Sequence, residues 1–152
     1  MTTYSLGEIE SHCKKAARGA GMAWGMAEEA GKTARWLAAQ GIDGPALLAQ
    51  CLQSLPTTGR NPIDCINGVW TARDGLICPI TAGTVIADRV ADLAKAPMKM
   101  ADVAYPALML FALQASADWL KTPLRVTWAG FQARLAPRHA PVWNGHTRAP
   151  HA

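Results

Sequence analysis

Charged residues are scarce in this sequence, and their scarcity limits what its surface can be. They make up 17% of the 152 residues, while half of the chain is hydrophobic; a soluble domain usually carries about a quarter charged residues. So few charges leave apolar surface to be covered, which predicts a homo-oligomer or a permanent partner such as a metabolic enzyme. The net charge of +4 is scattered without a basic run, so nucleic-acid binding is not expected.

Targeting and membrane segments are also missing from the sequence. The N-terminal residues MTTYSLGE contain neither a basic region nor an apolar core, so they do not form a secretory signal. The longest apolar run, residues 103–115, is interrupted by Pro106 and Gln114 and is shorter than the roughly 18 residues of a membrane span. We therefore expect a cytoplasmic protein that does not bind a membrane.

Motifs for metals, disulfides and dinucleotides are lacking as well. The cysteines lie far apart, at Cys13, Cys51, Cys65 and Cys78. They form no C-x-x-C and have no histidine at zinc-finger spacing, so we expect reduced, mostly buried thiols. Gly19-Ala20-Gly21 follows no predicted strand and has Trp24 where a third glycine would stand, which excludes a dinucleotide loop. The sequence predicts neither a metal nor a cofactor.

What the chain does contain is a small-residue helix, predicted over residues 23–40. Ala23, Ala27 and Gly31 recur at four-residue spacing and form a ridge that lets another backbone approach closely. Glycine costs a helix about 1 kcal/mol relative to alanine, so Gly25 and Gly31 indicate that closeness is needed here. The approaching group is a neighbouring helix, a second copy of the chain or a ligand.

Charged and aromatic residues around this helix are the candidate functional groups. The candidate ligand-binding residues, expected to hold a small anionic metabolite, are Arg18, Gly21, Trp24, Lys32, Arg35 and Arg60. Glu28 and Glu29 are candidate general acids or bases if one is buried, although two adjacent carboxylates early in a helix are more often solvated. Cys78 is a candidate nucleophile, although no histidine lies near it in the sequence to activate it. The alternative is that Cys78 is a buried residue of a strand.

Hydrophobic periodicity predicts an α+β fold with an N-terminal three-helix layer. Ser5 and Glu8 form a capping box before the first helix, and Asp43 caps a third helix that Pro56 ends. Two β-hairpins alternating with two helices follow. The first hairpin is predicted around Asp74-Gly75.

Further along, Thr81 is predicted to cap a helix over residues 82–95, and residues 98–103 form a possible short strand. A buried helix begins at Pro106 and runs to Trp119. Strict alternation over residues 124–128 and 131–135 predicts the second hairpin. Residues 1–136 form a single compact domain in this scheme.

Residues 137–152 are predicted to be an extended or disordered tail, because they combine three prolines with little apolar content. The tail contains His139, His146 and His151. Their spacings fit no familiar ligand motif, so the tail is not predicted to bind a metal.

The first third of the sequence resembles a bacterial family known as domain of unknown function 3726. The resemblance lies in S-L-x-E-I-E at residues 5–10, K-A-A-R-G-A-G at 15–21 and W-G-x-A-E-E-A-G-K-x-A-R-W-L at 24–37. It implies a bacterial, non-secreted protein and supplies no activity.

Two functions therefore stay open. The first is a self-associating or accessory subunit that binds a partner or a small anionic metabolite. The second is a small metabolic enzyme in which Glu28 or Glu29 acts as general acid or base.

Overall fold

The computed structural model describes residues 3–55, 62–73 and 75–148. Its helices are α1 (Leu6–Gly19), α2 (Trp24–Ala39), α3 (Gly44–Ser54), α4 (Pro79–Asp88), α5 (Val90–Leu93) and α6 (Leu110–Leu120). Its strands are β1 (Ile63–Ile66), β2 (Val69–Ala72), β3 (Lys99–Met100), β4 (Leu124–Trp128), β5 (Phe131–Leu135) and β6 (Val142–Gly145). Three helices precede two three-stranded sheets around one core, which confirms the α+β prediction.

The small residues of α2 are used in packing inside the chain. Ala27, Ala30 and Ala34 are fully buried, and α1 packs against α2 more extensively than any other pair of elements. A Cβ added to Gly31 would lie 2.7 Å from the backbone oxygen of Glu10, closer than real side chains come. The close approach that the sequence predicted is therefore made by α1.

Local signals fix the ends of the first and third helices as the sequence predicted. At α1, the amide of Glu8 donates to Ser5 Oγ at 3.2 Å, and Glu8 Oε2 accepts from the amide of Ser5 at 2.8 Å. These two hydrogen bonds lower the pKa of Glu8 because they stabilise its carboxylate form, and the bond from the Ser5 amide has the larger effect. At α3, Asp43 accepts from the amide of Ala46 at 3.1 Å.

The first hairpin lies earlier in the chain than predicted. β1 and β2 pair antiparallel around Asn67 and Gly68, both with positive φ, as a type I′ turn requires. The prediction around Asp74-Gly75 was wrong, because Pro79 and Ile80 begin α4 instead of a second strand. Proline favours the first helical position, where its missing N–H removes no helix bond. Asp74 itself lies outside the described residues.

The next segments also begin and end differently from the prediction. Cys78, not Thr81, is the N-cap of α4, and the helix breaks near Arg89 before the short α5. The strand expected over residues 98–103 is only the two-residue β3, which pairs parallel to β2. A 3₁₀ helix at Pro106–Met109 leads into the predicted buried helix, α6.

The second sheet has the order β4-β5-β6. β4 and β5 form the predicted second hairpin, and they pair from Leu124 opposite Leu135 to Trp128 opposite Phe131. β6 was not predicted: these residues were assigned to the tail, but they pair antiparallel with β5. The half-buried ring of Trp143 packs against the core and helps to hold this strand. Within the described residues, no helix combines the length and apolarity that crossing a membrane requires.

Candidate functional site

Three basic residues of the helical layer α1–α3 are held in ion pairs with glutamates. The pairs are Lys14 with Glu28 at 3.3 Å, Lys32 with Glu29 at 3.1 Å and Arg35 with Glu10 at 2.9 Å. They lie on the surface, where an ion pair contributes at most about 1 kcal/mol. Lys32 and Arg35, two of the predicted anion-binding residues, are therefore already neutralised by carboxylates of this layer.

Arg18, Gly21 and Trp24 form the turn between α1 and α2. The Arg18 guanidinium lies over the Trp24 ring, 4.5 Å from its centroid, and donates to the backbone oxygen of Met22. Gly21 has a φ of +99°, which only glycine adopts without strain. Each of the three thus has a role in closing the turn, although Trp24 stays 63% exposed. Arg60, the remaining candidate, lies outside the described residues.

Glu28 and Glu29 have the surroundings of surface carboxylates. Their side chains are 51% and 45% exposed and are bonded to lysines. Glu29 also borders a cavity of about 450 Å³ between α2, α4 and α6. Half-exposed carboxylates bonded to lysines lack the closed surroundings in which a general acid or base usually lies.

Cys78 is buried beside a second cysteine. It is the N-cap residue of α4, where its side chain makes no capping hydrogen bond. The neighbouring Cys51 thiol, the largest influence, lowers the pKa of Cys78 below its usual range, against the opposing effect of burial. The same contact and burial raise the pKa of Cys51. The prediction of free, mostly buried cysteines is confirmed, with Cys65 exposed.

A second cavity, larger than the one that Glu29 borders, was not predicted by the sequence. We call it the inter-sheet cleft: it holds about 940 Å³ between residues 93–100, which include β3, and residues 123–129, which include β4. Both β3 and β4 are edge strands of their sheets. Its floor consists of buried apolar side chains from Ile86, Val103, Met109 and Leu113.

The walls of the cleft are mostly apolar, and the charged residues that line it within the described part of the chain are basic. Met98 and Met100 come from one side, and Leu124, Val126 and Trp128 from the other. The Trp128 ring stacks on Phe131 with 4.0 Å between centroids.

Three exposed basic residues also line the inter-sheet cleft: Lys95, Lys99 and Arg125. Within the described residues, none of the three makes an ion pair, and no acidic residue lines the cleft. The cleft is therefore an apolar depression with uncompensated positive charge, which suits an anion that has an apolar body.

A faint sequence signal for this site exists in Met98-Lys99-Met100. Alternation in an extended segment places Met98 and Met100 toward the apolar cavity and leaves Lys99 exposed at the edge of the cleft. The signal gains meaning only beside β4, which follows more than twenty residues later.

In the described part of the chain, no cluster of three or more histidine, cysteine, aspartate and glutamate side chains could hold a metal ion.

Comparison with known proteins places the chain in a family without indicating its activity. Neither the curated proteins nor the solved structures include a match to the sequence. A family described as protein of unknown function (DUF3726) matches residues 4–98, which extend from α1 to the residue before β3. The chain therefore belongs to the DUF3726 family.

Proposed function

We propose that this protein binds a small amphipathic anion, an acid group on an aliphatic or aromatic body, in the inter-sheet cleft. The observation that carries the proposal is the pairing of apolar walls with Lys95, Lys99 and Arg125, none of which has an ion-pair partner among the described residues. The expectation of a small anionic metabolite from the sequence is kept, but its site moves from α2 to this cleft.

The apolar part of the ligand follows from the walls. Met98, Met100 and Val126 offer no hydrogen bonds, so a sugar or another polar body would lose its bonds to water without replacement. An alkyl chain or ring instead gains about 25 cal/mol for each Å² of apolar surface removed from water. A volume of about 940 Å³ is at the upper end of the roughly 300–1,000 Å³ of small-molecule sites.

The acid group follows from the charges. Lys95 and Lys99 lie on one side of the cleft and Arg125 on the other, so an anion between them meets positive charge from both sides. Arg125 is also directly opposite Arg134 in the β4–β5 register. Like charges in that position are unfavourable, and a nearby anion would relieve the repulsion.

Binding is favoured over catalysis by the composition of the cleft. No carboxylate, histidine or cysteine lines it within the described residues, so it lacks the usual general acids, bases and nucleophiles. Glu28 and Glu29, the residues of the enzyme alternative, are surface residues of the helical layer. The protein would then act as a binding or accessory subunit in a bacterial cytoplasm. It would work alone, as a homo-oligomer or together with an enzyme.

A calorimetric titration with three compounds tests the proposal. Decanoate has both an apolar body and an acid group, decanol lacks the charge and acetate lacks the chain. We expect decanoate to bind with measurable affinity, decanol to bind at least tenfold more weakly, and acetate to give no heat of binding. Equal affinity for decanoate and decanol would show that the cations do not contribute to binding. If none of the three compounds binds, the proposal is refuted.

A further inference from the structure

The cavity that Glu29 borders differs from the inter-sheet cleft in both position and charge. We call it the interhelical cavity: it holds about 450 Å³ between residues 29–33 of α2, residues 79–90 and residues 108–119. No described residue lines both the interhelical cavity and the cleft. The charged residues that line the interhelical cavity are Glu29 and Asp88, both acidic, whereas those of the cleft are basic. The fold therefore contains two separate cavities lined by opposite charges.

Asp88 is the carboxylate of the interhelical cavity whose charge is uncompensated. Glu29 is bonded to Lys32 at 3.1 Å, but Asp88 makes no ion pair among the described residues. Asp88 is also the last residue of α4, where the negative end of the helix dipole lies. A carboxylate is unfavourable at that end, and a cation bound there is attracted by both the side chain and the helix.

Two hydroxyl groups of the cavity can offer a ligand only acceptor oxygens. Thr84 Oγ1 donates its hydrogen to the backbone oxygen of Thr81 at 2.7 Å. Ser116 Oγ donates to the backbone oxygen of Ala112 at 2.8 Å. A hydroxyl has one hydrogen to donate, so both oxygens have only lone pairs left. Together with the two carboxylates, they favour a ligand group that donates several hydrogen bonds.

Thr33 is a buried polar residue without a partner inside the fold. It lines the interhelical cavity with 4% exposure and makes no hydrogen bond among the described residues. Buried hydroxyls are nearly always hydrogen-bonded, because leaving one unpaired costs free energy. A ligand that donates to Thr33 Oγ1 would remove that cost. This observation is independent of the charges and also indicates a hydrogen-bond donor.

The other walls of the interhelical cavity suit an apolar body. Phe111 and Trp119 line it, and Trp119 is 67% exposed. Aromatic rings attract cations and also cover apolar groups. The volume of about 450 Å³ lies within the roughly 300–1,000 Å³ of small-molecule sites.

We propose that the interhelical cavity binds a small primary ammonium ion with an aliphatic or aromatic body. Asp88 attracts the ammonium group, whose N–H groups donate to the oxygens of the cavity, and the body packs against Phe111 and Trp119. A quaternary ammonium ion has the charge but no N–H to donate. An alcohol of the same shape has the body without the charge. Both therefore bind more weakly than the primary amine.

A calorimetric titration at pH 7 with three compounds tests the choice of ligand. The compounds are 2-phenylethylamine, which is protonated at this pH, 2-phenylethanol and trimethyl(2-phenylethyl)ammonium. We expect the amine to bind with measurable affinity and each of the other two to bind at least tenfold more weakly. Equal affinity for the alcohol would contradict the role of the charge, and equal affinity for the quaternary ion would contradict the role of the N–H groups. If the amine does not bind, the proposal is wrong.

Two substitutions with matched controls locate the site. Asp88→Asn should weaken amine binding at least tenfold, whereas Asp92→Asn, at an exposed acid outside the cavity, should not. Trp119→Ala should weaken it several-fold, whereas Trp24→Ala, at a second exposed tryptophan outside the cavity, should not. Controls that weaken binding as much as their partners would overturn the assignment to the interhelical cavity.

Thr33→Val separates a ligand contact from a structural role. It keeps the shape of the side chain and removes the hydroxyl, so amine binding should weaken several-fold while the Tm of the ligand-free protein does not fall. A lower Tm would show that the hydroxyl is bonded within the protein, and unchanged amine binding would show that it does not meet the ligand; either result contradicts its role. None of these substitutions should change decanoate binding, so the interhelical cavity and the inter-sheet cleft are tested independently.

Discussion

The helical layer α1–α3 and the inter-sheet cleft both contain basic residues, but their charges are compensated differently. In the helical layer, Lys14, Lys32 and Arg35 are bonded to glutamates. In the cleft, Lys95, Lys99 and Arg125 have no ion-pair partner within the described residues. Since the chain has few charges to distribute, three uncompensated cations around an apolar cavity are the less expected arrangement.

Small residues show the same contrast. Gly31 and the alanines of α2 look functional in the sequence, yet they are covered by α1 and serve packing. The cleft is instead lined by long side chains with space between them. Close packing of backbones therefore serves the stability of this fold, and we propose that ligand binding occurs in the inter-sheet cleft instead.

The largest expected effect is a loss of stability caused by a substitution in the helical layer. Gly31→Val should lower the free energy of unfolding by about 2–3 kcal/mol, because even its Cβ would lie 2.7 Å from the Glu10 oxygen. Gly25→Ala is the matched control: its Cβ meets nothing within 4 Å, and it should stabilise the protein by about 0.5–1 kcal/mol. Urea unfolding measures both. Equal stability of Gly31→Val and the original chain would mean that α1 does not pack closely on α2.

The next largest effect is on decanoate affinity, and it distinguishes the charges of the cleft from those elsewhere on the surface. Lys99→Ala with Arg125→Ala should weaken decanoate binding at least tenfold, a loss of about 1.4 kcal/mol, and should leave decanol binding unchanged. Lys15→Ala removes the charge of an exposed α1 lysine outside the cleft and should not alter either affinity. If Lys15→Ala weakens binding as much, net charge and not the cleft attracts the ligand.

A smaller effect tests the repulsion across β4 and β5. Arg134→Glu places an opposite charge facing Arg125 and should raise the free energy of unfolding by about 0.2–1 kcal/mol. Gln132→Glu, which lies opposite Thr127, makes the same kind of change without a facing arginine and should have no such benefit. Low salt should enlarge the difference between the two variants. A difference that is absent at low salt would contradict the repulsion.

The smallest effect is expected at the carboxylates of the enzyme alternative. Glu28→Gln and Glu29→Gln each break one exposed ion pair, which should cost about 0.5 kcal/mol or less. Neither should alter decanoate binding, because both residues lie outside the cleft. A large loss of binding in either variant would move the site back to α2.

The parts of the fold that the sequence predicted are those with local causes. The capping box at Ser5 and the Asp43 cap each depend on residues three positions apart, and the β4–β5 hairpin joins two strands that are adjacent in the chain. The first hairpin was misplaced because two turn signals compete there. Asn67-Gly68 satisfies a type I′ turn, whereas Asp74-Gly75 is followed by a proline that begins a helix.

The parts that the sequence did not predict have non-local causes. β6 follows a stretch rich in proline, and it becomes a strand by pairing with β5 and packing Trp143 on the core. The cleft combines residues near 95 and 125 that no spacing rule connects. Two cations of the predicted anion site, Lys32 and Arg35, are each paired with a glutamate, a contact that the spacing of the sequence alone does not reveal.

The most direct test of the claim that ligand binding belongs to the inter-sheet cleft is an NMR titration of the protein with decanoate. The account predicts shifts for the indole N–H of Trp128 and the methyl groups of Met98 and Met100, while the indole N–H of Trp24 stays unchanged. Shifts centred on Trp24, with the cleft residues unmoved, would contradict it.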